Sequence, residues 1–203
     1  MNYKANILGL ALAVLGASAW ANDNKNCAVL LLHDRGASMA SMSAFGRKLQ
    51  PACTAKAVEM PWSQRRNNDK DLPGAWQELG RHVKELRQQG FQRVLVGGAG
   101  FGANAAMAFL GAVGDTDGVI ALAPEADAPG LGPLPATAAA MRQHAPALWV
   151  LGTEDPLHQR GEAFAFAKAP PHPNSRFASV KADRKGTVDA SVKQVLEWLK
   201  SLE

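Results

Sequence analysis

Only two cysteines occur in the 203 residues. With no paired histidines beside them they make a poor zinc site, so no metal is expected. Histidine is sparse as well: five occur and none follows His172, so the C-terminal segment carries no imidazole. One-sided charge is missing. A formal net charge of +4 is too small to argue for nucleic acid, and no Lys/Arg run is interleaved with aromatics. Arg65-Arg66 and the trio Arg81, Lys84, Arg87 read as a solvated loop and helix face. Repeats and low-complexity tails are absent, which leaves no sign of a second domain.

Long apolar runs are also scarce. The longest, residues 7–19, follows Lys4 and falls short of the roughly 20 residues a bilayer span needs. Ala19-Trp20-Ala21 then places small residues at the two positions a signal peptidase reads. Residues 1–21 are therefore predicted to be a signal peptide and 22–203 one exported domain, periplasmic or secreted, with no stable membrane span after cleavage.

What is present is an alternation of short apolar runs with helical patterns. Strands are expected at 28–33, 56–60, 94–97, 118–123, 147–152 and 176–181. Helices are expected near 41–50, 75–88, 101–110, 137–144, 162–168 and 188–202. The last carries a stripe of Val188, Val192, Val195, Leu196, Leu199 and Leu202 at helical spacing. Continuous apolar strands separated by helix-length crossovers predict an α/β fold with a parallel sheet covered on both faces. Cys27 and Cys53 each precede a strand. Neighbouring parallel strands start at the same sheet edge, so a disulfide is predicted, which an oxidising compartment permits. It contributes about 3 kcal/mol by chain entropy.

Ligands in such sheets collect beyond the carboxyl ends of the strands. The segment "RVLVGGAGFGAN" (93–104) puts a glycine-rich turn there. It reads two ways. Gly98-x-Gly100-x-x-Ala103 fits a variant dinucleotide fingerprint, with Glu125 as a ribose partner. However, that fingerprint usually follows the first strand, and this turn follows the third. Gly98-Ala99-Gly100-Phe101-Gly102 also fits the nucleophile elbow G-x-S-x-G, with glycine in place of serine.

Five segments, in order, resemble the α/β-hydrolase superfamily, particularly its small secreted bacterial members. "LLLHDRGAS" (30–38) is similar to the first-strand H-G-x-G segment that lends an oxyanion-hole N–H, with Asp34 where glycine is usual. "VLVGGAGFGANAAMAF" (94–109) resembles the elbow and its helix, and "GVIALAPE" (118–125) the strand after it. "ALWVLGTEDPL" (147–157) resembles the segment bearing the triad acid, here Asp155. "ADRKGTVDASVKQVLEWL" (182–199) resembles the histidine loop and last helix, with Arg184 at the histidine position. The resemblance implies a three-layer sandwich with a mostly parallel sheet of about six strands, order 2-1-3-4-5-6, and no substantial lid.

The resemblance also implies a degenerate triad: Gly100 has no nucleophilic oxygen, Arg184 no imidazole, and Asp155 nothing to orient. Without Oγ and a base, the acyl-enzyme route is closed. An anion site is what such a chain retains. The Phe101 N–H and an N–H of Asp34 or Arg35 would point at one spot, with His33 beside it and Arg184 supplying a cation. Alternatively Asp155 and Arg184 pair with each other. A base relocated to His33 or His158, with Ser38 as nucleophile, defines the divergent-hydrolase alternative, while Ser41 and Ser43 read as helix caps. The expected role is binding of a small, anionic ligand or a protein partner, without a cofactor. Trp62 is expected at the pocket rim.

Overall fold

The computed structural model describes residues 26–50, 52–140, 145–161 and 172–203. The expected signal peptide (1–21) and the helix expected at 162–168 lie outside them.

A six-stranded parallel sheet organises these residues. In chain order the elements are β1 (Cys27–Leu32), α1 (Ala40–Leu49), β2 (Thr54–Val58), α2 (Leu72–Gln88), β3 (Arg93–Ala99), α3 (Phe101–Ala112) and β4 (Val119–Leu122). There follow a two-residue hairpin of β5 (Asp127–Ala128) and β6 (Gly132–Pro133), α4 (Leu134–Ala140), β7 (Ala147–Gly152), α5 (Pro156–Gln159), β8 (Arg176–Val180), α6 (Thr187–Ala190) and α7 (Val192–Lys200). The main sheet runs β2-β1-β3-β4-β7-β8, which is the predicted order once the hairpin is set aside.

Strand alternation feeds both faces. Leu30, Leu32, Val94, Val96 and Ala121 point to the side covered by α2 and α3, where they meet Leu79, Val83, Met107 and Phe109. Val29, Leu31, Leu95, Ile120 and Val150 point to the side covered by α1 and α7, against Met42, Phe45, Leu49, Val195 and Trp198. Each large side chain so buried contributes about 1.5–3 kcal/mol. That double burial explains why β1 reads as an unbroken apolar run.

The Cys27–Cys53 disulfide forms, with the Cα atoms 4.8 Å apart. It ties the start of β1 to the turn before β2, across the α1 crossover. No helix among the described residues is long and apolar enough to cross a membrane.

Several elements differ from expectation: the helix expected at 188–202 is broken at Ser191 into α6 and α7, and α4 starts at Leu134 rather than 137. Helix α2 starts at Leu72, three residues early, because the Asp71 side chain accepts from Gly74 N–H and Pro73 sits in the first turn. Helix α1 starts at Ala40 with Met39 at its N-cap and no side-chain cap. Ser41 and Ser43 are therefore not caps; their hydroxyls donate back to the Ser38 and Met39 carbonyls. The connection after β4 is not wholly irregular, since Asp127–Ala128 pairs with Gly132–Pro133.

Candidate functional site

Register decides what meets at the carboxyl edge. Leu32 pairs with Gly98 across β1 and β3, so the loop after β1 comes abreast of the turn after β3. Gly100 makes that turn, with φ 55° and ψ −124°. This conformation is one that a side chain adopts only at a cost. Its flanking glycines serve close packing of α3 on the sheet. A Cβ on Gly98 would run into the Gly102 carbonyl, and one on Gly102 would lie 2.6 Å from both the Leu32 and His33 carbonyl oxygens. The glycines are thus spent on helix–strand contact. A phosphate at this turn would also meet a carboxylate, so the fingerprint reading of Gly98–Ala103 has no cradle to stand on.

That carboxylate is Asp34. Its Oδ1 accepts from Phe101 N–H at 2.8 Å and from Arg35 N–H at 2.8 Å. The two N–H groups expected to await an anion do converge, but the chain's own side chain fills the spot. A Cβ added to Gly100 would land inside the Asp34 carboxylate. The expectation that a glycine tip leaves the spot more open therefore needs correcting: the Asp34 carboxylate occupies the volume that a side chain at residue 100 would take.

The other expected site residues divide into those that gather here and those that do not. Arg184 reaches the site but pairs with Glu125 (Nη2–Oε1 3.6 Å), not with Asp155. Arg35 also leans on Glu125 (3.9 Å) and on Asp69 (3.8 Å), with its guanidinium 5.6 Å from the Phe101 ring centre. Such long, half-exposed ion pairs are worth at most about 1 kcal/mol each. Asp155 is 1% exposed and its Oδ1 accepts from Leu157 N–H at 2.7 Å, capping α5. Its Oδ2 is buried without a hydrogen-bond partner among the described residues.

The structure gives both histidines named as a relocated base other partners. His33 is fully buried. Its Nδ1 bonds the Asp34 carbonyl (2.8 Å), so that nitrogen carries the proton, and its Nε2 accepts from Met60 N–H (3.1 Å). Nε2 thus ties the β1 end to the β2 end, Nδ1 fixes the loop after β1, and both nitrogens are already bonded. His158 bonds Ser179 on β8 (3.0 Å) rather than swinging to the turn. Trp62 belongs to the core, not the rim: it is 2% exposed, donates to the His33 carbonyl (2.9 Å) and packs edge-on against Phe101 (5.1 Å).

Glu125 and Asn104 matter more than sequence reasoning allowed. Burial first, and then the nearby Asp34 charge, push the Glu125 carboxyl above its ordinary range, against the pull of Arg184 and Arg35. Asn104, fully buried on α3, clamps the segment after β4 by accepting from Glu125 N–H (2.7 Å) and donating to its carbonyl (2.9 Å). The signal for Asn104 was an amide alone in an otherwise apolar helix.

Above Gly100 and Asp34 lies an open cleft of about 360 Å³. Ala37, Met42, Ala44, Phe45, Ala99 and Val188 supply apolar walls, and Arg184, Lys185 and Asp189 stand among its lining charges. No group of metal-ligating side chains occurs among the described residues.

An elbow after the third strand, the first-strand loop beside it and an acid after β7 define a class of architecture, the α/β-hydrolase fold. Solved structures agree. Est1E from Butyrivibrio proteoclasticus with ferulic acid bound superposes with a TM-score of 0.68 at 13% identity, covering 90% of each chain. One of two metagenome-derived lipolytic enzymes, LipS and LipT, also gives 0.68, at 10% identity over 87% of this chain and 94% of that one. Dienelactone hydrolase from Anabaena variabilis gives 0.65 at 17% identity, covering 87% and 86%. The chain therefore has the α/β-hydrolase fold. No family model matches it, and no curated protein does.

Proposed function

We propose that the chain is an exported α/β-hydrolase-fold protein that binds a small molecule over Gly100 and lacks a serine-hydrolase route. One observation carries this reading: Asp34 Oδ1 holds both N–H groups that a substrate oxyanion would need. A carbonyl cannot be polarised at a spot already filled by a carboxylate. Gly100 has no oxygen to attack with, and the imidazoles of His33 and His158 are engaged elsewhere. Export rests on the character of residues 1–21, and the Cys27–Cys53 disulfide is compatible with a periplasmic or extracellular setting.

The purified protein is expected to leave short p-nitrophenyl esters intact and to take no label from a fluorophosphonate probe. Sustained turnover or labelling of the chain would overturn the reading in favour of a divergent hydrolase.

A further inference from the structure

Building on that ligand-binding reading, we infer that the cleft over Gly100 takes an amine with an apolar body, its ammonium seated on the Asp34 carboxylate. The floor of the cleft has changed polarity. In the hydrolase plan two N–H donors face the ligand. Here those donors are consumed by Asp34 Oδ1, and the group left facing the cleft is a carboxylate. Asp34 Oδ2 accepts from no described donor and is not sealed from solvent. It is an unspent acceptor on a lining residue.

The neighbouring charges leave that acceptor to the ligand. Arg35 directs its guanidinium to Asp69 and Glu125 instead of Asp34. Arg184 is drawn to Glu125 and Asp189 to Lys48. Lys185 is exposed at the cleft, where solvent and salt screen it. An anion entering the floor would have to dislodge Asp34 or lie against it. A donor cation meets a carboxylate oxygen already fixed in place by two backbone bonds, so little ordering cost remains. The walls set the rest of the ligand. Met42, Phe45, Ala99 and Val188 offer apolar side chains, and 360 Å³ falls at the small-molecule end of ligand sites.

The test uses two probes with the same body and opposite charge, 2-phenylethylammonium and 3-phenylpropanoate, titrated calorimetrically into the purified protein at neutral pH. The wild type is expected to bind the amine at least about tenfold more tightly than the acid. Asp34→Asn, which keeps the shape and removes the charge, is expected to lose the amine by about tenfold or more. Asp34→Gly exposes both N–H groups and is expected to reverse the preference toward the acid. Preference for the acid in the wild type, binding of neither probe at about 10 mM, or an amine affinity unchanged by Asp34→Asn would each overturn the inference. The wild-type comparison stands without any variant having to fold. Ester turnover is measured on the same samples. Its appearance overturns the non-catalytic reading, whereas acid preference without turnover overturns only the assignment of the amine.

Discussion

Replacing Gly100 by serine restores the missing nucleophile on paper, and the geometry predicts that it fails. Residue 100 sits at φ 55°, ψ −124°, a conformation costing about 1–3 kcal/mol for a residue with a side chain. The new Cβ would overlap the Asp34 carboxyl group. A short side chain can swing away, so the steric part is inexpensive. Its departure, however, strips Phe101 N–H and Arg35 N–H of a charged acceptor, a further loss of about 1–3 kcal/mol. The sum, about 2–6 kcal/mol, should lower the melting temperature by roughly 4–24 °C for a domain of this size. The discriminating measurement is a double-mutant cycle by thermal melts. In an Asp34→Gly background, Gly100→Ser should cost only the backbone strain. Equal losses in both backgrounds would refute the argument that residues 34 and 100 contend for one volume.

The remaining predictions test the surroundings. Because Glu125 has its carboxyl raised by burial and by Asp34, its contribution to stability is complete below the unfolded value of about 4.3 and is lost as pH rises through the folded value. Glu125→Gln should therefore gain on the wild type as pH rises above the unfolded value, and a difference in melting temperature that stays flat from there to neutral pH would contradict the assignment. Cys53→Ser should cost about 3 kcal/mol for a sequence separation of 26, read as a lower urea midpoint; an unchanged midpoint would show that the cross-link adds nothing. Gly102→Ala should destabilise by roughly 3 kcal/mol or more, since its methyl meets two carbonyl oxygens. Gly80→Ala on α2 meets nothing within 4 Å and should stabilise by about 0.5–1 kcal/mol. If the two changes behave alike, the packing account of the elbow glycines is wrong.

The fold was legible because burial writes itself into the strands. Residues 28–32 are buried on both faces, as are β4, β7 and β3 beyond Arg93, and such runs separated by helix-length spacers specify a covered parallel sheet, while the edge strands β2 and β8 stay only partly covered. The elbow was legible from Gly98 and Gly102, whose lack of Cβ is a packing requirement. The α2 start could have been placed from Asp71 and Pro73, a cap and a first-turn proline passed over for the apolar periodicity further on. What sequence could not give is side-chain direction. The sequence offers Asp34 as the source of a backbone N–H, whereas its carboxylate turns back onto the Phe101 and Arg35 N–H groups. The triad plan sets the Arg184 position beside Asp155, but Glu125 draws the guanidinium instead. Both outcomes depend on distances across the carboxyl edge that only the strand register fixes.

The apposition of Asp34 and Gly100 also imposes an order on descent. A lineage that regained serine at position 100 while keeping Asp34 would lose stability and gain no polarised carbonyl for the serine to attack. The step that clears residue 34 must come before the step that restores the oxygen. Arg184 must change as well before an imidazole is available. Under the proposed non-catalytic reading, the packing of Asp34 against position 100 holds glycine there as a pawl holds a wheel.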